Sequence, residues 1–315
     1  MTPITPTAEY VLPTGLQGPF AVSTHALTKR FGAALALDAV SLQVPEGAVY
    51  VLAGANGAGK TTLLTALLDL VRPDEGRAEV LGLDTHRQGA MARAQIGYMP
   101  GSVTAAFPWL RIGQFLSLLG GYYPGWDASY VGHLTERLDL DLNARIRGLS
   151  KGQTRRFQLV CALSHRPPVL ILDEPTDGLD PEMRDEALGL LSEHLADTGG
   201  TVLLATHHAY EVEGLADHVG IMRAGRLILQ TPREVLQSQL LIYRADGPEG
   251  WAGPAHLDAQ VIARARSGRE IQWTVWGDKR TVEQAIEASG GVVRSATPLG
   301  LDQAVTALMR TKELR

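Results

Sequence analysis

Gly54-Ala55-Asn56-Gly57-Ala58-Gly59-Lys60-Thr61-Thr62 is the stretch that decides the fold. It matches the phosphate-binding pattern G-x-x-x-x-G-K-[ST] at every required position. The apolar run at residues 49–53 before it is typical of a buried strand, and the leucines within residues 61–70 after it have helical spacing. Strand, glycine-rich loop and helix in this order direct backbone N–H groups towards a phosphate chain. A chance glycine-rich turn would not be expected to have both flanks.

The loop supplies most of the predicted nucleotide-binding residues. We expect Lys60 to lie between the β- and γ-phosphates, the Thr61 hydroxyl to ligate Mg²⁺, and Thr62 to add a phosphate contact. The glycines let the backbone approach a ligand without side-chain clashes. The full set predicted here is Gly54, Asn56, Gly57, Gly59, Lys60, Thr61 and Thr62.

Composition excludes several classes of protein. The 315 residues are 45% hydrophobic and 20% charged, and the net charge of −5 argues against a broad nucleic-acid surface. The single cysteine, Cys161, indicates a reducing compartment. No run of about 18 uninterrupted apolar residues is present, so no membrane span is expected. Residues 1–22 are predicted to be a flexible lead and not a signal peptide, which favours the cytoplasm.

Acidic and histidine side chains follow two further buried strands. Residues 169–173 form an apolar strand that ends in Asp173 and is followed by Glu174. Asp173 is suited to hold Mg²⁺, and Glu174 to orient or deprotonate an attacking water; the alternative is a pair of solvated acids that cap the strand. Residues 201–205 lead to His207, which could contact a γ-phosphate. A histidine at a strand end is usually structural, but the neighbouring motifs favour the functional interpretation.

Two weaker sequence signals predict an anion-binding site and an aromatic ring that stacks on a purine. Residues 149–153 precede a helix, and a serine with glycine at a helix start can bind an anion, although it is also an ordinary N-cap. Phe31 lies beside a glycine, and its ring either packs in the core or at an edge or stacks on a purine base.

The predicted organisation is an α/β core with an antiparallel β subdomain, a helical insert and a small C-terminal α+β domain. Residues 23–51 are predicted to be strands, with 36–44 as one strand, and a helical insert is expected at about 102–165. Beyond Leu236 the composition indicates a small α+β accessory domain over 237–315. Its Trp273 and Trp276 fall on opposite faces of a strand, so either both pack, which is favoured, or one is exposed at a contact.

With these motifs in this order, residues 23–236 resemble the ATP-binding subunit of an ABC transporter, which is a P-loop NTPase. In that resemblance residues 54–62 are Walker A and residues 169–173 are Walker B. Glu174 is then the catalytic base and His207 the switch histidine, while Phe31 matches an adenine-stacking aromatic. The signature residues are Ser150, Gly152 and Gln153, with Lys151 where a second glycine is usual, and Asp180 belongs to the D-loop.

The resemblance implies ATP, Mg²⁺ and two kinds of partner. Two such domains dimerise head to tail, as a homodimer or with a related subunit, and each ATP is held between Walker A of one and the signature of the other. The other partner is an integral-membrane permease, which places the chain on the inner face of the membrane. No nucleic-acid partner is expected. The alternatives are a soluble ABC-type ATPase that acts on nucleic acid or ribosomes, and a nucleotide sensor.

One position departs from the family pattern. A glutamine that contacts Mg²⁺ and water usually follows the strand predicted at residues 96–99, but here the position is Gly101. We expect Thr61, phosphates and waters to hold the metal instead, with Ser102 as a candidate helper. The same loop usually contacts the permease. Residues 122–127 together with Lys151 resemble the bacitracin-export and acetoin-utilisation branch of bacterial ABC ATPases, which implies export.

Overall fold

The computed structural model describes residues 15–102, 107–254, 257 and 261–310, and these residues form three β-sheets with associated helices. The strands are β1 (Phe20–Phe31), β2 (Ala34–Val40), β3 (Gln43–Pro45), β4 (Val49–Ala53), β5 (Glu75–Val80), β6 (Leu83–Asp84), β7 (Ile96–Met99), β8 (Val169–Asp173), β9 (Thr201–Thr206), β10 (His218–Arg223), β11 (Arg226–Pro232), β12 (Leu240–Asp246), β13 (Val261–Ser267), β14 (Glu270–Trp276) and β15 (Val292–Pro298). The helices are α1 (Lys60–Leu67), α2 (Gly89–Ala94), α3 (Ile112–Gly120), α4 (Ala128–Arg137), α5 (Lys151–Leu163), α6 (Pro181–Thr198), α7 (Arg233–Gln239), α8 (Lys279–Ala288) and α9 (Leu301–Arg310).

The central sheet has the strand order β11-β10-β4-β9-β8-β7. Its strands run parallel, except that β11 pairs antiparallel with β10 at one edge. Every residue of β4, β8 and β9 is buried, as expected for apolar parallel strands that are covered on both faces. Because β4, β9 and β8 are neighbours, the segments that follow Ala53, Thr206 and Asp173 meet at one edge of the sheet.

A mainly antiparallel five-stranded sheet packs beside this core, with the order β2-β1-β5-β6 and β3 paired to β1. β1 begins at Phe20, earlier than the predicted start at Ser23, so the boundary predicted after residue 22 falls inside a strand. Residues 1–14 of the predicted lead lie outside the described residues. The prediction of one strand over 36–44 is wrong. The Thr24 hydroxyl donates to the Val40 carbonyl and accepts from the Leu42 amide, which separates β2 from β3.

The helices α3, α4 and α5 lie between β7 and β8 along the chain. Each presents apolar residues to the core, since Ile112 and Leu116 of α3 and Leu134 of α4 are buried in the core cluster that includes the central sheet. Residues 103–106 of the predicted insert lie outside the described ranges. In the residues that the structure describes, no helix is both long enough and apolar enough to cross a membrane.

The C-terminal sheet has the order β13-β14-β12-β15 and is antiparallel. Trp273 packs in the core of this sheet and α8, together with Tyr243 and Ile286. Trp276 instead joins the core that includes the central sheet, with Leu308 of α9. Both tryptophans are 4% exposed, so the favoured prediction that both pack is confirmed. The two parts of the chain therefore share a hydrophobic core.

Candidate nucleotide site

The phosphate loop connects β4 to α1 in a conformation that needs glycine. Gly59 has a φ of 104°, which only glycine adopts readily. At Gly54 an added Cβ would lie 2.5 Å from the Met222 carbonyl oxygen, so the close packing of β10 excludes a side chain there. Asn56 and Gly57 are exposed at the outer edge of the loop. The conformation leaves the start of α1 open to an anion, as the sequence pattern predicts.

Lys60 lies buried inside this loop. Its Nζ donates to the carbonyl oxygens of Gly54 at 2.7 Å and Ala55 at 3.3 Å. Nζ is also 3.8 Å from Oε1 of Glu174. Burial lowers the pKa of Lys60, while the negative charges of Glu174 and Asp173 act in the opposite direction. The lysine is therefore held by backbone and acidic groups in the place where a phosphate chain would enter the loop.

Thr61 and Asp173 form a pair between α1 and β8. The Thr61 hydroxyl donates to Oδ2 of Asp173 at 2.7 Å. The other carboxylate oxygen, Oδ1, is buried and has no hydrogen-bond partner. Burial raises the pKa of Asp173, and the charge of Glu174 adds to this effect. An unpartnered buried carboxylate oxygen beside a hydroxyl is a donor set that fits Mg²⁺, because this ion prefers oxygen ligands and would compensate the buried charge.

Glu174 follows β8 in a strained conformation that directs its side chain towards two other segments. Its φ is 52°, in the left-handed region that a glutamate rarely adopts and that costs about 1–3 kcal/mol. Its Oε2 accepts hydrogen bonds from the Thr206 hydroxyl at 3.1 Å and the His207 amide at 3.2 Å. Strain of this kind is found where function requires a fixed side-chain position.

His207 is brought to the same carboxylate. Its Nδ1 lies 2.8 Å from Oε1 of Glu174. The geometry does not satisfy the angles of a hydrogen bond, so this is a close polar contact, and it is an ion pair only with a protonated imidazole. The ring of His208 lies 3.8 Å from the His207 ring, centre to centre. The predicted residues Lys60, Glu174 and His207 thus form one cluster beside the Thr61–Asp173 pair.

The predicted signature residues lie apart from this cluster. Ser150 caps α5, accepting from the Gln153 amide at 3.2 Å, and the Gln153 side chain accepts from the Ser150 amide at 2.9 Å. A Cβ on Gly152 would lie 3.0 Å from the Gly178 carbonyl oxygen. Among the described residues, these three make no hydrogen bond to the phosphate loop of their own chain. Lys151 instead pairs with Asp177 at 2.8 Å.

Two other predicted ligands also stand away from the cluster. Asp180 caps α6 by accepting from the Met183 amide at 3.0 Å, which is the ordinary structural role of an N-cap aspartate. Phe31 is 52% exposed at the end of β1, which excludes a core position. The Lys29 ammonium lies 5.5 Å from the centre of the Phe31 ring. The ring is therefore available to a ligand, as the stacking interpretation requires.

Sequence reasoning missed two residues that support the site. Thr206 directly precedes His207. Its hydroxyl donates to the Glu174 carboxylate and accepts from the backbone amide of His208 at 2.9 Å. A threonine between a buried strand and a histidine was the only signal for it. Arg155 is 1% exposed and donates to the carbonyl oxygen of Gly101 at 2.5 Å. No local pattern marks this contact, since the two residues lie far apart in sequence.

Comparison with known proteins supports the same assignment. The family model for ABC transporters matches residues 37–177. The chain is 36% identical over 299 residues to the daunorubicin resistance ATP-binding protein DrrA3 of Streptomyces coeruleorubidus, covering 92% of each chain. It is 35% identical over 247 residues to the Nod factor export ATP-binding protein I of Burkholderia lata, covering 76% of this chain and 79% of the relative.

Among solved structures, the fold resembles an ATP-binding subunit of an ABC transporter with a TM-score of 0.63 and 27% identity, over 68% of this chain and 91% of that one. The predicted α/β nucleotide-binding fold, with its antiparallel subdomain and C-terminal sheet domain, is thereby confirmed. The chain belongs to the family of ABC transporter ATP-binding proteins, and it is an ATPase whose hydrolysis of ATP is coupled to transport.

Proposed function

We propose that this subunit powers export through a separate membrane permease and works at the inner face of the membrane. The relatives described above have names that refer to drug resistance and Nod factor export, which supports the export direction. The cluster of Lys60, Glu174 and His207 beside the Thr61–Asp173 pair is the observation that supports ATP hydrolysis at this site. The finer placement in the bacitracin-export and acetoin-utilisation branch stays a prediction, and these relatives do not support it.

In the proposed mechanism the chain acts mainly by positioning and by charge neutralisation. Lys60 releases its carbonyl contacts and binds the β- and γ-phosphates. Glu174, held by Thr206 and the His207 amide, orients the attacking water and accepts its proton. His207 lies against the same carboxylate and is placed to contact the γ-phosphate. Thr62, Asn56 and the loop glycines complete the phosphate contacts.

The proposed metal ligands are Thr61 and Asp173. The free Oδ1 of Asp173 and the Thr61 hydroxyl would hold Mg²⁺. When bound, the ion would supply positive charge that neutralises the phosphate oxygens during transfer. Ser102 is exposed, and its backbone carbonyl accepts a hydrogen bond from the Gln158 side chain at 3.0 Å; its role as a helper for the metal stays a prediction.

The signature residues support a head-to-tail pair of subunits, either two copies or a copy with a relative. Within the described part of the chain, Ser150, Gly152 and Gln153 make no hydrogen bond to their own phosphate loop. Ser150 stands at the start of a 13-residue helix, where an anion is favoured. An ATP held by Lys60 of one subunit would therefore meet Ser150 of the other. Asp180 and the exposed Phe31 would contact the nucleotide in the same closed arrangement.

An apolar groove supports the permease as the second partner. It has a volume of about 380 Å³ and lies between the central sheet and the helical insert, with Tyr98, Pro100 and Phe115 in its lining. Pro100 directly precedes Gly101, the position that the family resemblance assigns to permease contact. Outside the groove the ring of Phe107 lies 6.1 Å from that of Phe115, and Trp109 beside it is 64% exposed. Exposed apolar surface of this kind is typical of a protein-contact site.

Co-purification from solubilised membranes of the native host tests the permease partner. We expect a multi-spanning protein to co-purify with the tagged chain, and Phe115→Asp to lose it while retaining basal ATPase activity. Lys279→Asp, on the exposed surface of the C-terminal domain, is the matched control. If basal ATPase is present but no membrane protein co-purifies with any variant, the soluble-ATPase alternative replaces this proposal.

A further inference from the structure

Arg155 is a buried charged side chain that the catalytic account above does not use. It lies one turn into α5 and is 1% exposed. Its guanidinium donates to the Pro100 carbonyl oxygen at 2.7 Å and to the Gly101 carbonyl oxygen at 2.5 Å. A buried guanidinium is unfavourable unless its donors find acceptors. The two terminal nitrogens of Arg155 find them in two successive backbone carbonyls, whereas its Nε has no partner among the described residues.

Those carbonyls belong to the loop that lacks the usual glutamine. A Cβ on Gly101 would lie 2.4 Å from Oδ2 of Asp173, so the main chain at this position lies directly against the metal-binding carboxylate. The neighbouring Ser102 carbonyl accepts from the side-chain Nε2 of Gln158 at 3.0 Å, and Arg155 also donates to Oε1 of the same side chain at 3.2 Å. Two side chains of α5 therefore hold the carbonyls of residues 100–102 in place.

The charge of Arg155 also connects this loop with the signature. Its guanidinium lies 3.8 Å from Oδ2 of Asp177, and the other oxygen of Asp177 pairs with Lys151 at 2.8 Å. Burial raises the pKa of Asp173, and the positive charge of Arg155 acts in the opposite direction. Arg155 thus links the start of α5, which is proposed to face the partner subunit's nucleotide, to the loop that lies against Asp173.

We propose that Arg155 is a positioning residue for the metal site, which holds the backbone of residues 100–102 against Asp173 and so fixes the direction of its free Oδ1. This inference rests on the proposed role of Thr61 and Asp173 in binding Mg²⁺. A planar guanidinium can donate to two carbonyls at once, whereas lysine offers a single charged centre. The main chain at Gly101 then lies against Asp173 at the position where the family pattern has a glutamine.

Fluorescence of a mant-labelled ATP tests the positioning role of Arg155 without relying on ATP turnover. Nucleotide affinity is measured in excess Mg²⁺ and again in EDTA, and the ratio of the two affinities reports the contribution of the metal. For Arg155→Lys we expect the ratio to fall about tenfold, equivalent to about 1.4 kcal/mol, with the affinity in EDTA unchanged. The Mg²⁺ concentration for half-maximal ATPase activity should rise by a similar factor.

Arg156→Lys is the matched control, since Arg156 lies on the same helix and also donates to a backbone carbonyl, that of Leu138, at 2.7 Å. It should leave the ratio unchanged. If Arg155→Lys and Arg156→Lys both keep the parent ratio, Arg155 has only a structural role and the proposal is wrong. If the parent itself shows no effect of Mg²⁺, the proposed metal site fails and the inference fails with it.

A second pair of variants covers the case in which Arg155 substitutions do not fold. Gly101→Ala adds a Cβ that must displace the Asp173 carboxylate or the loop, so it should lower the ratio in the same way. Gly132→Ala makes the same substitution in α4, where an added Cβ would meet nothing within 4 Å, and should keep the ratio. A Gly101→Ala protein with the parent ratio would overturn the proposal.

Discussion

Glu174→Gln separates nucleotide binding from hydrolysis more sharply than any other single change. The amide oxygen of glutamine can take the place of Oε2 and accept from the Thr206 hydroxyl and the His207 amide, which Glu174 now holds at 3.1 and 3.2 Å. The fold should therefore persist, because both hydrogen bonds to this position are kept. Glutamine cannot accept the proton of an attacking water, so kcat should fall by about 100- to 10,000-fold.

ATP binding should be retained or strengthened in this variant. Lys60 now lies 3.8 Å from Glu174, and loss of that charge frees the ammonium for phosphate. Release of inorganic phosphate measures turnover, mant-labelled ATP measures affinity, and gel filtration with ATP should show an enlarged dimer fraction. Glu182→Gln, at the exposed start of α6, is the matched control and should hydrolyse ATP at the parent rate. A Glu174→Gln protein with turnover near the parent rate would refute the assignment of the base.

The remaining predictions concern the structure around the site. Burial lowers the pKa of His165 to about 4, below its value of about 6.5 in the unfolded chain. Protonation therefore favours unfolding, and the free energy of unfolding should fall as the pH drops from about 6.5 towards 4. Chemical denaturation of His165→Phe should show a shallower fall over that window. Trp276→Ala removes a ring that is 4% exposed in the shared core and should lower stability by about 3–5 kcal/mol, whereas Trp109→Ala, at a residue 64% exposed, should change it by less than about 0.5 kcal/mol. Asp180→Ala should cost about 1 kcal/mol through loss of the α6 cap, and Asp180→Asn should retain stability.

Each of these has a contradicting result. An unchanged pH profile for His165→Phe would mean that another group sets the acid limit. Equal losses for Trp276→Ala and Trp109→Ala would contradict the shared core. If Asp180→Ala keeps the parent stability, or if Asp180→Asn loses as much stability as Asp180→Ala, the capping role of Asp180 is wrong.

The sequence predicted the parts of the site that depend on local spacing. The loop at residues 54–62, the Asp173–Glu174 pair and His207 each follow a buried strand, and parallel neighbouring strands bring their ends together without any further information. The fold class followed from the same alternation of strands and helices.

What could not be predicted arises from contacts between segments distant in sequence. The break between β2 and β3 depends on the hydroxyl of Thr24 on a different strand. The role of Arg155 depends on the backbone carbonyls of residues 100 and 101. Every residue has a backbone carbonyl, so the sequence does not indicate which ones an arginine will contact. That Trp276 belongs to the ATP-binding domain's core and Trp273 to the smaller one became evident only from packing. Periodicity placed the two rings on opposite faces but could not say what covers each face.

Mixing two inactive variants tests most directly whether each ATP is shared between subunits. Lys60→Ala disables the phosphate loop, and Ser150→Arg blocks the start of α5, so each protein alone should be inactive. A mixed dimer contains one site with an intact loop from one subunit and an intact signature from the other. An equal mixture should therefore recover about a quarter of the parent ATPase rate if the sites act independently. A mixture that stays as inactive as its components, although mixed dimers form, would contradict the account.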